Sequence, residues 1–136
     1  MSVKINPKNE RLKRDFFIYL KEAEGKAPST IDAIRKALCR FEDYTSYRDF
    51  STFNKEQAIQ FKKHLIKQKA IRSNITLSLS TVHTTLNALK EFFRWLSQKQ
   101  GYKSKIDPLQ INYLNLSEKE TSIAFVITTE KTLLRH

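Results

Sequence analysis

Val82, Leu86, Leu89, Phe93 and Leu96 step by 4, 3, 4 and 3 residues. That spacing lines apolar side chains along one face of a helix, as in the seam between packed helices. Three further stretches carry a helical period. The first runs from about Pro7 to Glu24, with Leu12, Phe16, Leu20 and Ala23 inward. Asn6 is placed to cap it, Pro7 fits the first helical position and Gly25 fits just past the end. The second runs from about Thr30 to Thr45 with Ile31, Ile34, Leu38 and Phe41 inward, Ser29 as its N-cap and Asp32 as the capping-box partner. The third runs from about Lys55 to Lys69 on Ala58, Phe61 and Leu65, with Asn54 as cap and Gln57 three residues on. The fourth is the stretch from Ser80, read as its cap, to near Gly101.

Between these stretches the period breaks. "YTSYRDFSTF", Tyr44 to Phe53, reads as an ordered connection plugged by aromatic side chains, and "AIRSNITLS", Ala70 to Ser78, as a polar one. Beyond Gly101 only short apolar anchors remain, in "DPLQINYLNLSEKE". "SIAFVITT", Ser122 to Thr129, is β-prone, but a lone strand has nothing to pair with. Residues 1–105 are therefore expected to form one helical domain and 106–136 a linker or tail. With 2 glycines and 3 prolines in 136 residues, turn punctuation is scarce, and the expected fold class is all-α.

Charge changes this picture from a bland bundle to one with a preferred kind of partner. The net charge is +11, and it is uneven. Residues 1–50 carry 11 basic and 8 acidic side chains, residues 51–105 carry 11 and 2, and residues 106–136 carry 3 and 4. Between Gln57 and Ile106 the only acid is Glu91. A positive field concentrated on part of a small domain attracts polyanions.

Other chemistry finds little support. His64, His83 and His136 are far apart and Cys39 stands alone, so no metal-ligand spacing is present. Two glycines leave no room for a phosphate-cradling loop or dinucleotide fingerprint. No inward pair of acids and no activated nucleophile is marked. The expectation is a chain with no active site and no cofactor. One cysteine, no signal-peptide core and no long apolar run lead to the expectation of a soluble, cytoplasmic protein that binds no membrane.

The fourth helix holds the strongest candidate surface. With Val82 at zero and about 100° per residue, His83, Asn87, Lys90 and Arg94 fall together at roughly 80–140°. Imidazole, amide, ammonium and guanidinium suit base edges and phosphates, although a solvated flank has the same composition. Ser80, Thr81 and Thr84 stand at the helix start, where free backbone N–H groups attract phosphate. On the second helix Ser29, Asp32, Lys36 and Arg40 share an outer face, with Lys26 just ahead. Asp32 would repel a phosphate there. Phe92 and Trp95 fall on the opposite flank of the fourth helix, and the Tyr44–Phe53 connection or the segment after the helix is expected to cover them.

The ordered set "PSTIDAIRKALCRFEDY", "FNKEQAIQFKKHLIKQ", "LSLSTVHTTLNALKEFFRWLSQKQG" and "IDP" resembles the N-terminal core-binding, SAM-like domain of tyrosine recombinases of the phage-integrase type, over about Leu12 to Glu120. "NYLNLSEKE" is similar to the linker that leads to the catalytic domain of such integrases. The resemblance implies a four-helix bundle of two crossed helical hairpins that forms half of a clamp on double-stranded DNA at an attachment or core site. It implies that the second and fourth helices face the major groove. Carried onto this chain, it points to Lys26, Ser29, Thr30 and Lys36, and to Ser80, Thr81, His83, Thr84, Asn87 and Lys90; the helical wheel adds Arg94. It further implies a monomer alone, with higher-order assembly only on DNA in the full-length recombinase. The family's catalytic tyrosine, arginines, lysine and His-x-x-Arg motif have no counterpart in this chain. "LLRH" at Leu133–His136 is a chance echo, since Thr132 stands where the motif's first His belongs. A helical protein-interaction bundle and an RNA-binding bundle are the alternatives.

Overall fold

In the computed structural model, which describes residues 5–71 and 79–117, the described elements are all helical. α1 spans Pro7–Ile18 and runs on into a π-helical turn, Tyr19–Ala23. α2 spans Pro28–Thr45, α3 Lys55–Ile71, α4 Leu79–Gln98 and the short α5 Pro108–Ile111. Single 3-10 turns lie at Phe50–Thr52 and Asn112–Leu114. α4 is the central element, packed on α2, α3 and α5.

Local chemistry sets the helix ends. The Asn6 side chain accepts hydrogen bonds from the N–H groups of Lys8 (3.0 Å) and Asn9 (3.3 Å), satisfying donors that the first turn leaves orphaned. Asn54 caps α3 in the same way by accepting from Gln57 N–H at 3.0 Å. Two expected caps are corrected. Ser29 lies inside α2: its N-cap is Ala27, extended at φ −69° and ψ 151°, and Pro28 fills the first helical position with its φ already fixed. Asp32 instead pairs with Arg35 (3.5 Å) and Lys36 (3.2 Å). Ser80 likewise lies inside α4, which begins at Leu79.

The apolar seams fall inward as their spacing predicts, with one exception. Leu12, Phe16 and Leu20 are buried, but Ala23 is exposed. The wider π turn, closed by Glu24 N–H to Tyr19 O (3.2 Å) and Lys26 N–H to Leu20 O (2.9 Å), carries it off the stripe. Gly25 then turns the chain at φ +64°, where a residue with a Cβ is strained.

The core is built largely of phenylalanine. Phe93 stacks on Phe53 at 4.0 Å between ring centroids and meets Phe41 and Phe92 edge-on at 5.6 and 5.2 Å. Phe50 reaches Phe92 at 4.7 Å, so the aromatic plugs expected in the Tyr44–Phe53 connection are in place. Trp95 differs from expectation. It packs on α1 and its π turn, 5.2 Å from Phe16 and 6.4 Å from Tyr19, because α1 lies on that side of α4.

A buried polar staple holds the same connection. Asn9 donates to Arg48 O at 2.8 Å and accepts from Phe50 N–H at 3.0 Å. Glu42, 1% exposed, accepts from Lys13 Nζ at 2.6 Å and from Asn9 at 3.4 Å. Past Gly101, Asp107 caps α5 by accepting from Leu109 N–H at 3.0 Å. Ile106, Ile111 and Leu114 enter the core, and Gln110 accepts from Lys55 N–H at 2.9 Å. Residues 106–117 thus pack on the bundle. The connection at 72–78, "SIAFVITT" and "LLRH" lie outside the described residues.

Candidate nucleic-acid interface

α4 buries about half of its circumference. Val82, Leu86, Leu89, Phe93 and Leu96 are joined inside by Thr85, Ala88, Phe92 and Ser97, since α2 covers one flank of the expected seam and α3 with α5 the other. Outside remains one continuous face: Ser80, His83, Thr84, Asn87 and Arg94 are exposed along it, and Lys90 stands half-buried at its edge. The four stripe residues His83, Asn87, Lys90 and Arg94 are therefore brought together on one face. Thr81 is half-buried on the opposite edge, toward α2.

Lys90 is held as well as placed. Its Nζ donates to Asn115 Oδ1 at 2.6 Å, while Lys62 Nζ donates to the Asn115 carbonyl at 2.9 Å. Burial, with the Arg94 charge adding to it, lowers the Lys90 pKa from its ordinary value of 10.5. The ammonium is partly stripped of water, so an anion that meets it displaces less solvent.

On α2, Ser29, Thr30 and Lys36 are exposed, and Lys36 is tied to Asp32. Lys26 stands apart from them, half-buried near Glu91. Burial raises the Glu91 carboxyl above its usual range; Lys26 opposes the shift and Glu24, which hydrogen-bonds to it, reinforces it. Glu24, Glu91, Arg94 and Trp95 line a cleft of about 440 Å³ between the end of α1 and the end of α4. Two carboxyls here offset Lys26 and Arg94. The part of the α4 face that favours an anion is the half from Ser80 to Lys90.

Sequence reading missed two links. Arg40 Nη1 donates to Thr85 Oγ1 at 3.2 Å, joining α2 to α4, and Asn115 joins Lys62 to Lys90. The first spans 45 residues and no local pattern signals it. Glu42 had a signal, since it follows Leu38 by four residues on the inner face of α2.

Residues 14–101 match the family described as phage integrase, N-terminal SAM-like domain. The chain belongs to that family. The match covers well over half of the 136 residues and takes in α2, α3 and α4 whole. It agrees with the all-helical architecture and with the resemblance carried by the sequence. No curated protein and no solved structure matches the chain. Membership implies DNA binding in the setting of a recombinase, and what this chain carries of an integrase is the N-terminal SAM-like domain. Among the described residues no helix is long and apolar enough to cross a membrane, and no cluster of His, Cys, Asp or Glu has metal-binding geometry.

Proposed function

We propose that this domain is the sequence-directed DNA-binding module of a tyrosine recombinase, and that it grips duplex DNA through α2 and α4 as half of a clamp. The observation that carries the reading is the single outward face of α4 bearing His83, Asn87 and Lys90 beside exposed hydroxyls at Ser80 and Thr84. In this reading His83 and Asn87 meet base edges in the major groove, where an amide can bond adenine in bidentate fashion. Lys90 and Lys36 meet phosphates, with Ser29, Thr30, Ser80, Thr81 and Thr84 adding neutral contacts to the backbone. Lys26 and Arg94, offset by carboxyls, contribute least. Residues 106–136 lead toward the catalytic domain. The domain alone is monomeric, and assembly belongs to the DNA-bound recombinase. Strand cleavage is the task of the catalytic domain.

Two variants separate the roles. Lys90→Ala should weaken binding to every duplex alike and reduce the salt dependence by about one counterion. Asn87→Ala should cost about 1–3 kcal/mol of preference for the attachment site with little change on unrelated duplex. Fluorescence anisotropy with cognate and scrambled duplexes reads both effects. Equal, salt-insensitive binding by wild type and both variants would contradict the proposal. Competition with duplex RNA of equal length separates it from an RNA-binding role.

A further inference from the structure

We infer that Arg40 is a phosphate-binding residue at the seam between α2 and α4, held in place for that task by Thr85. This rests on the DNA-binding reading above and deepens it. Arg40 is half-buried on the edge of α2 that faces α4. Its guanidinium donates to the hydroxyl of Thr85, a side chain 1% exposed, so the head is anchored at the seam rather than swinging in solvent. A guanidinium has five N–H donors in a rigid fork and stays charged at any physiological pH. One donor is used on Thr85, and the remainder match the oxygens of a phosphodiester.

The acids of α2 have other partners. Asp32 takes Arg35 and Lys36, Glu42 takes Lys13 and Asn9, and Asp43 accepts from the Tyr47 hydroxyl at 2.8 Å. Among the described residues no carboxylate forms an ion pair with Arg40. Lys36, one turn earlier on the same side of the helix, shares its charge with Asp32 in an exposed pair, and Arg35 stacks on the Phe17 ring at 4.8 Å. Arg40 is thus the cation of α2 that is both fixed and uncommitted, and it lies where the outer faces of α2 and α4 meet. Burying an arginine head against a threonine brings little stability by itself, since a neutral acceptor does not offset its charge. A DNA backbone crossing the seam supplies the missing anion.

The test is an anisotropy titration of a labelled duplex at several salt concentrations with wild type, Arg40→Gln, Arg40→Lys and Thr85→Val, each checked by thermal melting. Arg40→Gln is expected to weaken binding about tenfold at low salt and to reduce the slope of log K against log salt by about 0.9. Arg40→Lys and Thr85→Val keep the charge, so each should keep the slope while losing roughly threefold in affinity as the fork or its anchor is lost. If wild type binds with a steep salt slope and Arg40→Gln matches it in affinity and slope, the assignment of Arg40 is overturned and the DNA-binding reading stands. If wild type shows no salt-dependent binding, both fall.

Discussion

Replacing Phe93 by alanine should lower the unfolding free energy by about 3–5 kcal/mol. Its ring is fully buried, stacked on Phe53 and set edge-on against Phe41, Phe50 and Phe92. Removing it leaves a void ringed by aromatic side chains on α2, on the Phe50–Phe53 segment and on α4 itself. Rings anchored on three elements collapse poorly into such a space, so the transfer and cavity costs add. A domain of this size is ordinarily stable by about 5–15 kcal/mol, so the variant approaches the limit of folding. Urea denaturation followed by circular dichroism gives the difference directly. A loss below about 1 kcal/mol would mean that the aromatic cluster does not hold α4 in place.

Glu42→Ala should cost a similar amount, about 3–5 kcal/mol, by a different route. Glu42 and Lys13 are nearly out of water, and removing the carboxylate leaves the ammonium with only Glu10, at 3.0 Å on the exposed side. The double variant Glu42→Leu with Lys13→Met removes both charges and should recover most of the loss, since breaking a buried pair costs far more than replacing it. The pair also has a pH signature. Burial pulls the Lys13 pKa down, but hydrogen bonds to Glu42 and Glu10, with their charges, outweigh it and hold it above 10.5. The stability it contributes is therefore complete below that ordinary value and lost as pH rises through the folded value. Wild type should lose stability in that alkaline window, and the double variant should lose less. Identical alkaline profiles would show that the staple contributes nothing.

The helices were legible because their apolar residues repeat with the helical period, and Ile34, Leu65 and Leu89 needed no tertiary information to be placed inside. Polar groups in the core were not, because polar side chains ordinarily face water even where, like Asn9, Lys13 and Glu42, they stand in step with the inward stripe; only the fold shows that they bond one another across α1, α2 and the Arg48–Phe50 backbone. The same limit narrowed the expected seam of α4, whose flank at Thr85 and Ala88 is covered because α2 lies there. At the candidate interface the stripe His83, Asn87, Lys90, Arg94 was readable, being four positions on one helix. The anchoring of Lys90 on Asn115, the link from Arg40 to Thr85 and the approach of Glu24 to Glu91 beside Arg94 were not, since each depends on how separate segments meet. Ser80, His83, Thr84 and Asn87 lie outside on α4, whereas Thr85 beside them is a buried acceptor.

Binding of the DNA backbone by the outer faces of α2 and α4 is read by a titration of wild-type protein with a labelled duplex at 50 and 200 mM salt. If Lys36, Arg40 and Lys90 each neutralise a phosphate, log K should fall against log salt with a slope of about −2.7, or roughly 40-fold between the two conditions. The same affinity at both concentrations, or no binding at either, would contradict the account.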